Sequence, residues 1–174
     1  MNAEKRIDFK EEGFRNILAG WWHGLEGDTG GRAELRRAKR PDDVYVSRPF
    51  QAGLVRSLRG AGYQVTGAVM DRLATAAGLI SHVREGDDDP SQRVPEGMAA
   101  SGPGGRARVS GLRFRRIMAI DDRDREGLYL EMLRLVRLLK KVNVLDLAEA
   151  AYWWNDRVRK DWAVEYYSRA PKED

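Results

Sequence analysis

Residues 14–25, FRNILAGWWHGL, repeat their apolar side chains at spacings of three and four. The apolar residues of this stripe are Phe14, Ile17, Leu18, Trp21, Trp22 and Leu25. Such spacing is typical of an amphipathic helix with one buried face. Residues 48–58 and 65–83 also read as helices. No segment combines β-branched residues with clean alternation, so the sequence predicts an all-α fold.

The middle of the chain interrupts this periodicity. Residues 84–110, REGDDDPSQRVPEGMAASGPGGRARVS, are dense in Gly, Pro, Ser and Asp. They predict a long surface loop with one helical turn around residues 95–100, and a loop of this length usually separates lobes or carries function. We therefore expect two small helical-bundle lobes, an N-terminal lobe of residues 1–100 and a C-terminal lobe of residues 101–174.

The C-terminal part is predicted to be helical as well. Asp121 or Asp122 is expected to cap a helix that continues through LRLVRLLK, residues 133–140. The last segment is expected to contain two helices that are divided near Asn155. Trp154 and Trp162 belong to an i, i+4 series that favours core packing over base stacking, whereas Trp153 lies on a different face.

Composition excludes several classes of chemistry. The 174 residues include 31 Lys and Arg, 27 Asp and Glu, and no cysteine. Disulfides, thiolate nucleophiles and cysteine-ligated zinc are therefore excluded. The N-terminus shows no signal peptide, and no apolar run reaches the roughly 18 residues of a membrane span. We expect a cytoplasmic protein with no membrane partner.

Catalytic motifs are also missing from the sequence. His23 and His82 are the only histidines, and a structural or surface role is expected for each. No nucleophile elbow, zinc-binding helix or phosphate-binding loop occurs. The acidic run from Asp122 imitates a calcium loop but places Leu133 where a bidentate Glu belongs. We expect no catalytic residue, no metal and no cofactor.

Basic residues form the best functional signal. The stretch DTGGRAELRRAKRP, residues 28–41, predicts a helix that Asp28 or Thr29 caps and Pro41 ends, with five cations and one acid, Glu34. Two other helical stripes are basic. The stripe residues outside this helix are Arg113, Arg116, Arg134, Arg137 and Lys141. Guanidinium groups match phosphate geometry, so these stripes indicate either nucleic-acid binding or solvated faces.

The same residues resemble those of the CasB family, the small subunits of the type I-E CRISPR surveillance complex called Cascade. The order W-W-x-x-L, then D-x-G-x-R-A-x-L-R-R-A, covers Trp21 to Ala38. The resemblance continues through His82 at a helix end, R-F-R-R at residues 113–116, LRLVRLLK, Trp154 and VRKDWAVEYY. It extends in order from about Trp21 to Tyr167.

The resemblance implies a non-catalytic, all-helical subunit. In the family, two copies contact the large subunit and the backbone subunits that hold the CRISPR RNA. Their basic surface supports the target strand and the displaced non-target strand as the R-loop opens, while base pairing reads the sequence. The resemblance adds Arg157 to the nucleic-acid contacts. The predicted contacts are then Arg36, Arg37, Arg40, Arg113, Arg116, Arg134, Arg137 and Arg157.

Three other functions stay open at this point. A stand-alone helix-turn-helix regulator would need polar residues that read base edges, and the arginine stripes have few Asn or Gln neighbours. An enzyme would need a carboxylate cluster with metal-binding spacing, and none stands out. A purely structural scaffold would use its arginines for assembly alone.

Overall fold

Helices dominate the computed structural model, which describes residues 4–84, 86–87 and 92–172. The α-helices are α1 (Glu12–Gly24), α2 (Thr29–Arg37), α3 (Pro41–Tyr45), α4 (Arg56–Gly60), α5 (Gly67–Ser81), α6 (Val94–Ala99), α7 (Gly111–Met118), α8 (Arg125–Val136), α9 (Val144–Trp153) and α10 (Asp156–Arg169). A π-helical segment, Pro49–Val55, runs directly into α4, and Pro103–Gly105 form a 3-10 turn. The only sheet of the described residues pairs β1 (Gly86–Asp87) with β2 (Val142–Asn143) in parallel. The predicted all-α fold is confirmed.

Short polar side chains begin many of these helices. Asp28 accepts a hydrogen bond from the Gly31 amide at the start of α2, and Thr66 does the same for Val69 at α5. Asn155 accepts from Val158 at α10, which confirms the predicted division of the last segment. Each of these side chains satisfies an amide that has no partner within its helix.

Three predicted helix boundaries are wrong. The helix that begins after Asp28 ends at Arg37, because Ala38 and Arg40 are already extended before Pro41, which starts α3. Proline disfavours helical geometry in the residue before it, so the break comes earlier than Pro41 itself. Farther along, Asp124 rather than Asp121 or Asp122 caps α8, and this helix ends at Val136.

Helix α5 is the centre of the core. Its residues from Leu73 to Ser81 are all buried, and it packs against α3, α8 and α9. Gly78 permits a close approach, since a Cβ there would lie 2.7 Å from Cε2 of Tyr129. Helices α5 and α9 come from opposite sides of the predicted lobe boundary at residue 100. The division into two lobes stays a prediction.

Aromatic residues hold the C-terminal helices together. The rings of Trp154 and Trp162 meet edge to face with centroids 5.4 Å apart, and both are almost fully buried. Tyr166 stacks on Phe114 at 3.9 Å and donates a hydrogen bond to the Val109 carbonyl. The predicted core role of this series is confirmed.

Across the described residues, no helix is long and apolar enough to cross a membrane.

Candidate nucleic-acid interface

The C-terminal end of α5 receives side chains from α1 and α2. Arg36 donates from Nε to the Ser81 carbonyl at 3.2 Å, and Arg32 donates from Nη2 to the Val83 carbonyl at 3.0 Å. Trp22 of α1 donates from Nε1 to the Ile80 carbonyl at 2.8 Å. Ser81 is the last residue of α5, so its carbonyl lacks a partner within the helix and lies at the negative end of the helix dipole, where a guanidinium is favoured. Val83 lies just beyond the helix, and the Ile80 carbonyl also accepts from the Val83 amide.

His82 follows this helix end and lies among arginines. Burial, together with the smaller effect of the charges of Arg137 and Arg36, lowers the pKa of His82 to about 4. Arg137 is the residue that follows α8, and it lies near His82 because α8 packs against α5. At pH 7 the imidazole is therefore neutral, and its Nε2 is buried without a hydrogen-bond partner in the described part of the chain.

The arginines also crowd one another. Burial lowers the pKa of Arg36, and the charges of Arg32 and Arg84 add to this effect. We call Arg32, Arg36, Arg84 and Arg137, grouped around His82, the arginine cluster. Within residues 4–84, 86–87 and 92–172, no carboxylate forms an ion pair with any of the four. Such uncompensated positive charge favours an anionic ligand.

The geometry suits phosphate in particular. Arg36, Arg84 and Arg137 are exposed, and a guanidinium carries five N–H donors. Arg36 uses its Nε–H on Ser81, which fixes the side chain and leaves its terminal nitrogens for other acceptors. Phosphate oxygens accept paired hydrogen bonds from such groups.

The family model for CRISPR-associated protein Cse2 matches residues 31–167. The chain belongs to the Cse2 family. The resemblance to CasB small subunits, drawn from the sequence, is thereby confirmed. The match includes α2 from Gly31, α5, α8 and therefore every member of the arginine cluster.

A solved structure shares the fold of this Cse2-family chain. The similar chain comes from the crystal structure of E. coli Cascade bound to a PAM-containing dsDNA target. The two chains are 19% identical with a TM-score of 0.61, and the alignment covers 89% of this chain and 94% of the other. The comparison with curated proteins finds no match.

Two of the eight predicted contacts, Arg36 and Arg137, meet in the arginine cluster. Arg37 lies beside Arg36 on α2 and is exposed, and Arg113 and Arg116 are exposed on α7. The side chains of these last three form no ion pair among the described residues. They remain available for phosphate, and their role stays a prediction.

The other three predicted contacts have acidic neighbours. Arg40 lies 3.6 Å from Asp43, and Arg134 is paired with Glu131 one turn earlier on α8. An exposed pair of this kind is weak, but its carboxylate offsets the positive charge that an approaching phosphate meets. Arg157 lies in the first turn of α10 rather than in a turn before it, and it faces a different cavity.

Sequence reasoning missed three members of this site. Arg32 belongs to the quoted motif and lies one turn before Arg36, so helical spacing could have placed both on one face. The sequence places His82 at a helix end but does not indicate its arginine neighbours. Arg84 begins the segment that the sequence predicts to be a surface loop, so it belongs to none of the basic helical stripes.

The described residues contain no group of three or more His, Asp or Glu side chains arranged to hold a metal ion.

Proposed function

We propose that this Cse2-family chain is a non-catalytic subunit of a type I-E Cascade complex in the cytoplasm. Its partners are the large subunit, the backbone subunits with their CRISPR RNA, a second copy of itself, and the two DNA strands. Its task is to hold the phosphates of the target strand and of the displaced non-target strand, and so to stabilise the R-loop.

The arginine cluster carries this proposal. Four guanidinium groups gather near the end of α5. Burial lowers the pKa values of Arg36 and His82, and the charges of Arg32 and Arg84 add to the first shift, as those of Arg137 and Arg36 add to the second. A polyanion relieves this repulsion and releases its own counterions on binding. The fold's likeness to a chain of the DNA-bound E. coli Cascade is consistent with this role.

The cluster provides phosphate binding without sequence readout. Contacts to phosphate fix the position of a strand but carry no base information. In an RNA-guided complex, base pairing supplies the specificity, so a subunit of this kind needs only charge and shape. A stand-alone regulator would instead discriminate among duplexes.

Fluorescence anisotropy over a salt series tests the proposal. The full chain is titrated with unrelated single-stranded and duplex DNAs, beside the double variant Arg36→Gln and Arg137→Gln. Glutamine keeps a donor for the Ser81 carbonyl while it removes the charge. Loss of two phosphate contacts should reduce the slope of log K against log salt by about 1.4 for single strands and about 1.8 for duplex.

The matched control removes the same charge elsewhere. Arg40→Gln with Arg134→Gln changes two arginines that already have acidic neighbours. This control should lose less of the slope, and thermal melting should show that both double variants are folded. An equal loss of slope in the two variants would overturn the assignment to the arginine cluster. A strong preference for one duplex sequence would favour the regulator instead.

A further inference from the structure

A second concave region lies away from the α5 helix end. A cavity of about 860 Å³ is enclosed by residues 6–10, Arg15 of α1, and residues of α9 and α10. We call it the α9–α10 cavity. Unlike the arginine cluster, it mixes both signs of charge. Its acidic lining residues are Asp8, Asp146, Glu149 and Asp161, and its basic ones are Arg6, Lys10, Arg15, Arg93 and Arg157.

The N-terminal segment forms one wall. Ile7 and Phe9 are buried, while Arg6, Asp8 and Lys10 are exposed, as expected for an extended strand-like segment. The Lys5 backbone exchanges hydrogen bonds with Gly62 and Gln64, and the Phe9 ring packs 5.5 Å from that of Tyr152 on α9. The wall is thus attached to the core at both ends.

The polar face of α9 forms the opposite wall. Asp146, Glu149 and Trp153 follow one another at i, i+3 and i+7, so they share one helix face. Asp146 is already engaged, because its carboxylate accepts from Arg93 Nε at 3.3 Å and from the Val94 amide at 2.7 Å. Glu149 has no hydrogen bond or ion pair within the described residues.

Glu149 is therefore a half-buried carboxylate without a donor. Burial raises its pKa and the neighbouring Asp146 raises it further, which outweighs the opposite effect of the charges of Arg93, Lys10 and Arg15. The raised pKa means that the ionised carboxylate is less stable here than in water. A donor supplied by a ligand would remove that penalty.

Two tryptophans complete the cavity. Trp162 is fully buried in its wall, and the Nε1–H of this side chain has no acceptor in the described part of the chain. Trp153 is 38% exposed, and Cζ of Arg72 lies 5.5 Å from its ring centroid. The ring already attracts one guanidinium, as aromatic faces do.

We propose that the α9–α10 cavity binds a polypeptide segment of a partner protein, whose arginine or lysine side chain reaches Glu149 beside Trp153. The basic side chain donates to the Glu149 carboxylate and lies against the indole ring. The Glu149 carboxylate and the exposed face of Trp153 are thereby engaged by one side chain.

The mixed charge favours protein over nucleic acid here. A phosphodiester offers acceptors only, so it would leave Glu149 unpaired and repelled. Four carboxylates line this cavity, whereas no described carboxylate pairs with the arginine cluster. This assignment moves Arg157 from the predicted DNA contacts to the rim of a protein-binding site. It does not depend on the nucleic-acid proposal.

Nuclear magnetic resonance of the indole N–H groups provides the test. The probe is the blocked tripeptide Ac-Gly-Arg-Gly-amide, and the neutral isostere Ac-Gly-citrulline-Gly-amide is its control. The chain has five tryptophans, so Trp→Phe variants assign the signals. Saturable shifts of the Trp153 and Trp162 signals are expected with the arginine probe. The citrulline probe should bind about tenfold more weakly, since it lacks the charge-assisted hydrogen bond.

Variants sharpen this result. Glu149→Gln should weaken the arginine probe about tenfold, whereas Glu126→Gln, an exposed change on α8, should leave its affinity unaltered. No saturable shift of these two indoles up to about 50 mM probe would overturn the proposal. Equal binding of the two probes, or unchanged affinity in Glu149→Gln, would also overturn it. Single-stranded DNA that shifts the same indoles would show that the occupant is nucleic acid. Anisotropy of Glu149→Gln with DNA should match the wild type, so the two proposals fail separately.

Discussion

The arginine cluster and the α9–α10 cavity hold similar numbers of cations but differ in what surrounds them. In the cluster, the charges of neighbouring arginines add to burial in lowering the pKa values of Arg36 and His82, and no described carboxylate is paired with the four arginines. In the cavity, five cations are mixed with four acids, and Arg93 is neutralised by Asp146. We propose a polyanion as the ligand of the first environment and a ligand with both donors and acceptors as that of the second. Counting basic residues in a sequence does not distinguish the two.

The difference extends to how each region is built. The arginine cluster lies at helix ends near the surface, so its exposed side chains can be substituted without loss of core packing. The cavity is cut into the aromatic core itself, because Trp162 belongs both to its wall and to the buried pair with Trp154. Three substitutions separate these cases, and we give them in order of decreasing change in stability.

Trp162→Ala should destabilise the chain by about 3–5 kcal/mol, because it removes a fully buried ring and leaves a void against Trp154. Urea unfolding measures the free energy directly. Trp153→Ala is the control, since its side chain is 38% exposed and should lose far less. Similar losses in the two variants would show that Trp162 is not anchored in the core as described.

His82 should make stability pH-dependent at the arginine cluster. Its pKa falls from 6.5 to about 4 on folding, so the unfolded chain binds the proton more tightly. Stability is therefore unaffected above pH 6.5 and falls as the pH drops from 6.5 toward 4. With solvent screening of this half-buried group, the loss should be about 2 kcal/mol.

Chemical denaturation of His82→Gln across this pH range checks the expectation. The variant should lack that part of the pH dependence, and His23→Gln, an exposed change, should retain it. Parallel stability curves for wild type and His82→Gln would mean that neither burial nor the neighbouring arginines lower the pKa of this imidazole.

Glu149→Gln should have the smallest effect and the opposite direction. The raised pKa of Glu149 means that its ionised form destabilises the fold above that pKa, and that the penalty disappears as the pH falls toward 4.5. The variant should be more stable than wild type at pH 7 by less than about 1 kcal/mol, because the group is screened by solvent. Denaturation at pH 7 and pH 4 measures the difference, and a less stable variant at pH 7 would indicate a structural role for this carboxylate.

Local rules in the sequence anticipated much of the fold. The apolar stripe from Phe14 to Leu25 became α1, Asp28 capped α2, and the break near Asn155 separated α9 from α10. The sequence predicted helix boundaries less accurately next to proline and among closely spaced aspartates. At Asp121, Asp122 and Asp124, three equivalent side chains compete for one cap, and only the packed position of α8 decides among them.

The candidate site was anticipated only in part. The sequence places Arg36 and Arg137 in two different basic stripes, and nothing in either segment indicates that both side chains lie next to His82. Arg134 shared a stripe with Arg137, yet its neighbour Glu131 takes up its charge. Arg157 carried the expected charge but lies beside acids of the cavity.

The helical periodicity, many of the caps, the buried aromatic series and the family can all be read from the sequence. They depend on residue type and on spacing over a few turns. Which charged side chains come together is set by the tertiary structure. Helix α5 brings the ends of α2 and α8 to one place, and the N-terminal segment closes the α9–α10 cavity over Glu149. Coulomb interactions fall off with distance through space rather than along the chain, so the packing of the helices sets them.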